Sequence, residues 1–156
     1  NKVTISLTQE DIMTTHYDDS NIFAKILRGE LPCHRVYEDD QTLAFMDIMP
    51  VAVGHVLVIP KYPAVELSDL PLQYAQAVIA TAQKVMKAQR QVLQTQGITQ
   101  VQINHPEAGQ SVLHYHMHLV PAHFSDIAKH EAKHESVSAN QDELAQLAAQ
   151  LSEAIN

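Results

Sequence analysis

Val112-Leu113-His114-Tyr115-His116-Met117-His118-Leu119-Val120 is an apolar segment in which a histidine stands at every second position from 114 to 118. Successive side chains of a β-strand point to opposite faces of the sheet. On a predicted strand over residues 111–121, the histidines therefore share one face, and the apolar residues between them can pack on the other. Neighbouring imidazoles on such a strand would stand about 6.6 Å apart, at a rise of ~3.3 Å per residue.

Three interpretations of this histidine face stay open from the residues alone. The first is a solvated strand face without a function. The second is a metal site, because neutral histidine is a common metal ligand. The outer two imidazoles would lie ~13 Å apart and a Zn–N bond is about 2.1 Å, so one ion would need two of the three and a further ligand from elsewhere. The third is a catalytic row, in which one imidazole is a nucleophile and its neighbours orient it.

The loop before the histidines favours catalysis on a phosphate. Gly109 permits a positive φ and a close approach of the backbone to a ligand. Gln110 and Ser111 add uncharged hydrogen-bond donors beside the imidazoles. Neutral donors of this kind can bind phosphate without lysine or arginine.

The composition limits the function further. The chain has 156 residues, 10 histidines and a formal net charge of −8 with histidine neutral. That charge argues against coating a nucleic-acid polymer. No apolar run is long enough for a membrane helix, and the single cysteine, Cys33, fits a reducing compartment. We therefore predict a cytoplasmic protein with neither a membrane nor a nucleic-acid polymer as partner.

The pattern of apolar residues predicts one α+β domain. Residues 1–19 are interpreted as a loosely ordered leader, and residues 20–156 as a single domain. Periodicity and turn residues predict helices at 20–28, 68–96 and 141–155, strands at 33–38, 42–47, 55–60, 98–104 and 111–121, and an irregular segment at 123–140. Hairpins followed by one long helix indicate an antiparallel sheet with that helix across one face.

The histidine segment, with residues 108–112 before it, resembles the motif of the histidine-triad (HIT) family, His-x-His-x-His with apolar residues between. The segments 21–26, 37–40, 44–50 and 54–61 match the same family in the same order. The resemblance covers roughly residues 21 to 122 and is nearest to the small bacterial members related to the Hint branch.

The resemblance implies an α+β fold that pairs into a homodimer with a continuous ten-stranded sheet. It implies hydrolysis or transfer at the α-phosphorus of purine nucleotides such as adenosine phosphoramidates, aminoacyl adenylates or dinucleoside polyphosphates. His116 would be the nucleophile and form a nucleotidyl-histidine intermediate. His118 would contact the phosphate, and His114 and His55 would support the imidazole network. No cofactor or catalytic metal is implied.

The nucleotide-binding residues follow from the same resemblance. Asp47 would bind the ribose hydroxyls, although an aspartate after a strand also suits a local turn. His55 has a structural role as its alternative. The base pocket would be lined by Ile22, Phe23, Leu31, Phe45, Met46 and Ile48, and Gly109, Gln110 and Ser111 would face the phosphate and leaving group.

Two positions depart from the family pattern. Asn21 and Ala24 stand where some bacterial members have a zinc-binding Cys-x-x-Cys pair, so we expect no structural zinc there. Ile103 stands where members often have an amide, so that either Asn104 supplies the amide or the contact is missing. The second case leaves room for an alternative function, a purine-nucleotide-binding or partner-binding module with little turnover. We interpret His123, His130 and His134 as solvated, and leave His105 open.

Overall fold

The computed structural model describes residues 16–133 and 139–156. Residues 1–15 of the predicted leader, and His134, lie outside that range. Five antiparallel strands form one sheet in the order β1-β2-β3-β5-β4. The strands are β1 (Arg35–Glu38), β2 (Thr42–Met46), β3 (Val56–Pro60), β4 (Thr99–Gln102) and β5 (Met117–Val120), and the helices are α1 (Ile22–Leu27), α2 (Leu72–Leu93), α3 (Phe124–Lys133) and α4 (Gln141–Ile155). The predicted α+β class, with a long helix on an antiparallel sheet, is confirmed.

One face of the sheet carries the main hydrophobic core. Alternate residues of the central strands, such as Val58 and Met117, are buried beneath the long helix α2 and the C-terminal helix α4. From the helices, Val78 and Val85 of α2 and Leu151 of α4 are fully buried in the same cluster. Each such side chain contributes roughly 1.5–3 kcal/mol of transfer free energy, so this face holds the domain together.

The opposite face carries a row of side chains that crosses four strands. Phe45 of β2 pairs with Leu57 of β3, Leu57 pairs with His118 of β5, and His118 pairs with Val101 of β4. Directly paired residues point to the same face of a sheet. Phe23 of α1 packs against the Phe45 end of the row in a second, smaller hydrophobic cluster. The row thus passes from an apolar corner through a histidine to the edge strand.

The histidine strand is shorter than predicted. β5 begins at Met117 instead of residue 111, so only His118 of the three histidines lies in it. Continuing the register that pairs Val58 with Met117 would place Tyr115 opposite Pro60. Proline has no N–H to donate to a strand ladder. The Tyr115 amide donates instead to the carbonyl of Ala64, at 2.8 Å, and the chain bends over residues 112–114.

Residues after the histidine strand form a helix that the sequence analysis missed. α3 spans Phe124–Lys133, inside the segment predicted to be irregular. The ring of His123 accepts a hydrogen bond from the Ser125 amide at 3.2 Å, and Asp126 lies in the first turn, where a negative charge is favourable. This local start signal was obscured by the polar composition of residues 123–140.

The ends of two other helices have local causes that the structure shows. α2 ends at Leu93, because Gln94 adopts the left-handed conformation with φ of 57°, before the glycine at which we predicted its end. Asn140 begins α4 by accepting hydrogen bonds from the amides of Asp142 and Glu143. Within residues 16–133 and 139–156, no helix combines the length and apolarity that crossing a membrane requires.

Candidate active site

A cavity of about 420 Å³ lies on the face that carries the row from Phe45 to Val101. Helix α1, four strands, the β2–β3 loop, the loop before β5 and helix α3 all contribute to it. Its lining consists of Ile22, Phe23, Ile26, Pro32, Cys33, Phe45, Met46, Asp47, Ile48, Met49, Val51, His55, Leu57, Val101, Ile103, Ser111, Val112, His116, His118, Val120, Ile127 and His130. The structure therefore brings His55, His116 and His118 together with most of the predicted nucleotide-binding residues.

Some predicted site residues do not line this cavity. They are His114, Leu31, Asn104, Gly109 and Gln110. The carbonyl oxygen of His114 accepts a hydrogen bond from Nδ1 of His116. Leu31 is partly exposed beyond the end of α1. The other three belong to the loop before the histidines.

His116 is held in a single tautomer by the main chain. Its Nδ1 lies 2.7 Å from the carbonyl oxygen of His114. A carbonyl can only accept, so Nδ1 carries the hydrogen and Nε2 keeps its lone pair. The edge of the Phe23 ring packs against this imidazole, with the centroids 5.0 Å apart. The arrangement leaves an unprotonated nitrogen on a buried ring that lines the cavity.

His118 is oriented by a chain of donors that starts in the main chain. The Val51 amide donates to Nδ1 of His55 at 3.1 Å, so the hydrogen of His55 is on Nε2. That Nε2 donates to Nδ1 of His118 at 3.0 Å. The hydrogen of His118 is therefore on its Nε2, which makes this ring a donor where His116 is an acceptor. The two ring centroids are 5.0 Å apart.

His114 is locked on both of its nitrogens. Its Nε2 donates to the carbonyl oxygen of Pro60 at 2.9 Å. Its Nδ1 must then accept, and the hydroxyl of Tyr17 donates to it at 2.6 Å. Tyr17 falls within residues 1–19, which we predicted to be loosely ordered; here it is placed against the histidine network.

Burial keeps the three histidines neutral. Desolvation lowers the pKa of His114, of His116 and of His118 to about 4. Hydrogen bonding to the His114 carbonyl opposes part of this effect on the pKa of His116. Burial also lowers the pKa of His55, while the carboxylate of Asp47 acts in the opposite direction. A neutral imidazole is the form that can act as a nucleophile near pH 7.

Asp47 makes the local turn contact that the sequence analysis gave as the alternative to ribose binding. Its Oδ1 accepts from the Met49 amide at 2.8 Å, which is the local turn contact. Its Oδ2 lies 3.4 Å from Nε2 of His55, and the carboxylate lines the cavity. The group is thus held at the end of β2 with one oxygen towards the histidines.

One set of side chains in the described part of the chain has the spacing of a metal site. Ligand atoms of Asp47, His55 and His118 lie within 4.8 Å of one another. A cation there would compete with the proton shared between His55 and His118. The sequence analysis left open a metal site made of two triad histidines and a further ligand. The set of side chains with metal-site spacing among the described residues contains one triad histidine, His118. Asn21 stands where some members of the family have the first cysteine of a zinc-binding pair. In this chain its side chain caps the start of α1 by accepting a hydrogen bond from the Ala24 amide.

The loop before the histidines is fixed from inside. Gln110 is buried, and its Oε1 accepts from the His105 amide while its Nε2 donates to the carbonyl of Val65, each at 2.8 Å. Its amide is therefore directed at the main chain and not at a phosphate. His105, which we left open, has a positive φ of 83° and accepts from the Glu107 amide. Gly109 has a φ of 108°, so the backbone does turn there as predicted.

Asn104, the other candidate for the expected amide, does not line the cavity. The Oδ1 of Asn104 accepts from the amide of Leu67 and from Nε2 of Gln102, each at 2.9 Å. Ile103 lines the cavity in its place. The expected amide contact is thus substituted by an alkyl side chain.

The lining residues that the sequence analysis did not assign to the site include Val101, Ile127 and His130. Val101 has the apolar character of any strand residue. Ile127 and His130 belong to α3, three residues apart on one side of the helix. His130 was interpreted as solvated, but the structure places it in the lining. Recognising α3 as a helix, from the cap at His123, would have put these two residues on a common face.

Known proteins share both the sequence and the architecture. A family model described as the HIT domain matches residues 28–125. The protein called Protein hit of Bacillus subtilis is 39% identical over 106 residues, which are 68% of this chain and 73% of that protein. Adenosine 5′-monophosphoramidase HNT1 of Saccharomyces cerevisiae is 38% identical over 104 residues, 67% of this chain and 63% of that protein.

The fold agrees with that relationship. The crystal structure of a Hit-like protein involved in cell-cycle regulation from Bartonella henselae superposes with a TM-score of 0.77 at 40% identity, covering 89% of this chain and 99% of that one. The matched span of the family model includes all five strands, the long helix and all three histidines. The chain that carries His114, His116 and His118 therefore belongs to the histidine-triad family.

Proposed function

We propose that this protein hydrolyses or transfers nucleoside monophosphates at the α-phosphorus of purine nucleotides, through a nucleotidyl-histidine on His116. The observation that carries the proposal is the hydrogen bond from His116 Nδ1 to the His114 carbonyl. It leaves Nε2 with a lone pair on a ring that lines the cavity. The relationship to HNT1, which is named an adenosine 5′-monophosphoramidase, supports a nucleotide hydrolase.

The reaction would proceed in two halves. Nε2 of His116 forms a bond to phosphorus while the bond to the leaving group breaks, and the leaving group takes the electron pair and a proton. Water then attacks phosphorus, the P–N bond breaks, and its electron pair returns to Nε2. The proton that the leaving group takes from the site in the first half is replaced in the second half by one that the attacking water releases. The Ser111 hydroxyl, which lines the cavity, is a candidate to relay it.

Charge stabilisation would come from donors and not from cations. The Nε2–H of His118 would hydrogen-bond a phosphate oxygen, since its Nδ1 already accepts from His55. Phosphoryl-type transfer depends mainly on positioning and on such stabilisation. Asp47 would bind the ribose, with the base between α1 and β2, against Phe23 and Phe45.

A homodimer is the assembly we propose, from the family resemblance. Among the described strands, β4 has a neighbour on one side only. Pairing of two β4 strands would give the continuous ten-stranded sheet. The cytoplasmic location, and the absence of a membrane or nucleic-acid polymer among the partners, stay sequence-based predictions.

A binding module with little turnover is the second candidate. It is favoured by Ile103, whose alkyl side chain occupies the position of the expected amide. Such a protein would bind purine nucleotides in the same cavity, with a slow first half-reaction.

The test is the release of AMP from adenosine 5′-phosphoramidate and from a dinucleoside polyphosphate. We expect AMP from at least one substrate with the parent, and a loss of at least about 10³-fold in kcat for His116→Ala. His34→Ala is the matched control, because His34 contacts Gln141 on the far side of β1 from the cavity. Calorimetric titration with AMP measures binding separately.

The outcomes separate the two candidates. AMP binding without AMP release by the parent would support the binding module and contradict the enzyme. Equal release by the parent and His116→Ala would show that His116 is not the nucleophile.

A further inference from the structure

A short segment after β3, residues 64–69, is hydrogen-bonded to the loop that leads into the triad histidines. The carbonyl of Ala64 accepts from the Tyr115 amide at 2.8 Å. The carbonyl of Val65 accepts from Nε2 of Gln110, also at 2.8 Å. Ala64 and Val65 are fully buried, so water cannot easily replace these contacts. This support segment therefore holds the triad loop on both sides of its bend.

The stretch between these two contacts contains groups that the proposed reaction uses. Ser111, which follows Gln110, lines the cavity. The carbonyl of His114, which precedes Tyr115, accepts from Nδ1 of His116 at 2.7 Å and so fixes the tautomer of that ring. A shift of the support segment would move the Ser111 hydroxyl and the His114 carbonyl, because each stands next to a residue that the segment holds.

Gln110 carries the restraint back to the start of the same loop. Its Oε1 accepts from the His105 amide at 2.8 Å. His105 has a φ of 83°, a conformation that a residue with a side chain keeps only where surrounding contacts hold it. The Leu67 amide donates to Oδ1 of the preceding residue, Asn104, at 2.9 Å. Both ends of the loop are therefore tied to the support segment.

The side chain of Asp69 fixes the support segment itself. Its Oδ2 accepts from the Val65 amide at 3.1 Å, and its Oδ1 accepts from the Glu66 amide at 2.7 Å. Val65 is thus held through its N–H by Asp69, while its carbonyl holds Gln110. Asp69 does not line the cavity, so any effect that it has on the reaction is transmitted through the main chain.

From this geometry we propose that Asp69 is a positioning residue for nucleotidyl transfer. It fixes Val65, which holds Gln110 and with it the loop that carries Ser111 and the His114 carbonyl. This inference rests on the proposed function and adds to it a residue outside the cavity. Because the base and the ribose are expected at α1 and β2, loss of the Asp69 contacts should slow the reaction more than it weakens the binding of AMP.

The experiment compares two changes that each remove a side chain accepting from two main-chain amides. Asp69→Ala removes the two contacts within the support segment, whereas Asn140→Ala removes the two at the start of α4. With adenosine 5′-phosphoramidate, we expect kcat to fall about tenfold to a hundredfold in Asp69→Ala, since small misplacements at a reacting centre have effects of this size. The kcat of Asn140→Ala, and the Kd for AMP of both variants, should stay near the parent values.

A milder variant and a spectroscopic signal extend the test. In Asp69→Asn one oxygen still accepts but the amide nitrogen cannot, so kcat should lie between those of the parent and Asp69→Ala. In nitrogen-15 NMR, the Nδ1 signal of His116 reports its contact with the His114 carbonyl. That signal should shift in both Asp69 variants and stay unchanged in Asn140→Ala. Urea denaturation verifies that each variant is folded under the assay conditions.

A double variant tests the route through Gln110. If Asp69 acts by holding Val65 for Gln110, the losses in kcat from Asp69→Ala and Gln110→Met should be less than multiplicative when the two are combined. A combined loss equal to the product of the two would show independent effects and overturn the proposal.

The results distinguish this inference from the function on which it rests. A parent-like kcat in Asp69→Ala, or an equal fall in Asn140→Ala, would give Asp69 a purely structural role and overturn the proposal. A rise in the Kd for AMP as large as the fall in kcat would overturn it as well. If the parent released no AMP, the proposed function would fail, while the His116 signal would still decide whether Asp69 positions that ring.

Discussion

In each triad histidine, the hydrogen bond made by one ring nitrogen determines whether the other nitrogen carries a hydrogen. His116 donates to a carbonyl through Nδ1, whereas His114 donates to a carbonyl through Nε2. His118 accepts through Nδ1 from a histidine whose own tautomer is set by the Val51 amide. The three imidazoles therefore differ because their partners differ. His116 keeps an acceptor nitrogen and His118 keeps an N–H donor, whereas both nitrogens of His114 are hydrogen-bonded within the protein.

The hydroxyl of Tyr17 donates the second hydrogen bond to the His114 ring, and we expect its removal to lower kcat. Tyr17→Phe keeps the ring against His114 but leaves the buried Nδ1 without a donor, which costs about 1–3 kcal/mol of stability. His114 then loses its fixed ring position, and the carbonyl that orients His116 moves with it. We expect kcat to fall about tenfold with KM near the parent value.

The control for Tyr17 is Tyr74→Phe, on helix α2 away from the cavity. Nitrogen-15 NMR of the histidines provides a second measurement, since the Nδ1 signal of His114 should shift only in Tyr17→Phe, where this nitrogen loses its hydrogen bond. A parent-like kcat together with an altered His114 signal would contradict a positioning role.

The lowered pKa values make a prediction for activity at acidic pH. An exposed histidine near 6.5 would be largely protonated at mildly acidic pH, but burial lowers the pKa of His116 to about 4. The proposed nucleophile, His116, therefore stays neutral down to that range. The acid limb of a kcat/KM profile should lie between pH 4 and 6, and a limb centred at 6.5 would contradict the burial effect.

The same shifts predict how stability changes with pH. Above pH 6.5 the three triad histidines are neutral in both the folded and the unfolded chain. As the pH falls from 6.5 towards 4, the unfolded chain takes up protons that the buried rings resist. The free energy of unfolding should therefore decrease over that window, by about 1.4 kcal/mol per pH unit for each histidine.

Urea denaturation across that pH window measures the slope. His114→Gln should make the slope shallower by the share of one histidine, while His34→Gln, outside the cavity, serves as the matched control. Identical slopes for the parent and His114→Gln would contradict the contribution of this buried ring.

At the level of single residues, the sequence predicted many of the side chains that line the cavity, but not their hydrogen bonds. Alternation placed the histidines together, and apolar residues such as Phe23 and Phe45 do line the cavity. The partners Tyr17, Pro60 and Val51 could not be predicted, because a phenol, a carbonyl and an amide carry no signal of their distant contacts. Gln110 is an example. A side-chain amide can hydrogen-bond either a phosphate or the main chain of a loop, and in the folded protein that of Gln110 bonds the main chain.

Among the elements, the histidine strand departs most from the prediction. The period of two continues through residues 112–120, but Pro60 on the neighbouring strand cannot donate to the ladder. A strand pattern describes one chain, whereas strand length depends on both partners. The bend that results lets His114 reach Pro60 through its ring and lets its carbonyl orient His116.

Helix α2 supports the site through one buried amide. Nε2 of Gln89 donates to the carbonyls of Gly54 and Leu119, at 2.9 and 3.0 Å. These residues stand next to His55 and His118, so one side chain ties the two strands that carry the donor chain. Gln89→Met should therefore lower the free energy of unfolding by about 2 kcal/mol and reduce kcat.

The matched change is Gln91→Met, at an exposed position of the same helix. Chemical denaturation and AMP release from a phosphoramidate measure the two effects. Equal stability of both variants would show that the buried amide contributes nothing to strand alignment.

On the scale of the whole molecule, one face of the sheet carries the main hydrophobic core and the other face carries the cavity. The face under α2 and α4 is filled with aliphatic side chains, and the other face holds the cavity. This division is the part of the fold that apolar periodicity predicts well. The surface of α2 also exposes Leu72 and Ile79, at 73% and 47%, which a monomer would leave in water.

Light scattering tests the proposed homodimer. We expect twice the chain mass of 17.4 kDa for the parent, and partial dissociation for Ile79→Lys, which places a charge on the exposed apolar surface of α2. Gln91→Lys is the control at the far end of that helix. A monomeric parent would contradict the assembly, without affecting the assignment of the histidines.

The position of α4 in the chain has a consequence for synthesis on the ribosome. Every residue that lines the cavity emerges before α4, whose Leu144 and Leu151 cover the opposite face of the sheet. A nascent chain that has just completed α3 therefore carries every residue that lines the cavity, while the other face of the sheet is covered by α2 but not yet by α4. A chain that ended after α3 would therefore contain every residue that lines the cavity, but it would lack the leucines of α4 that complete the core.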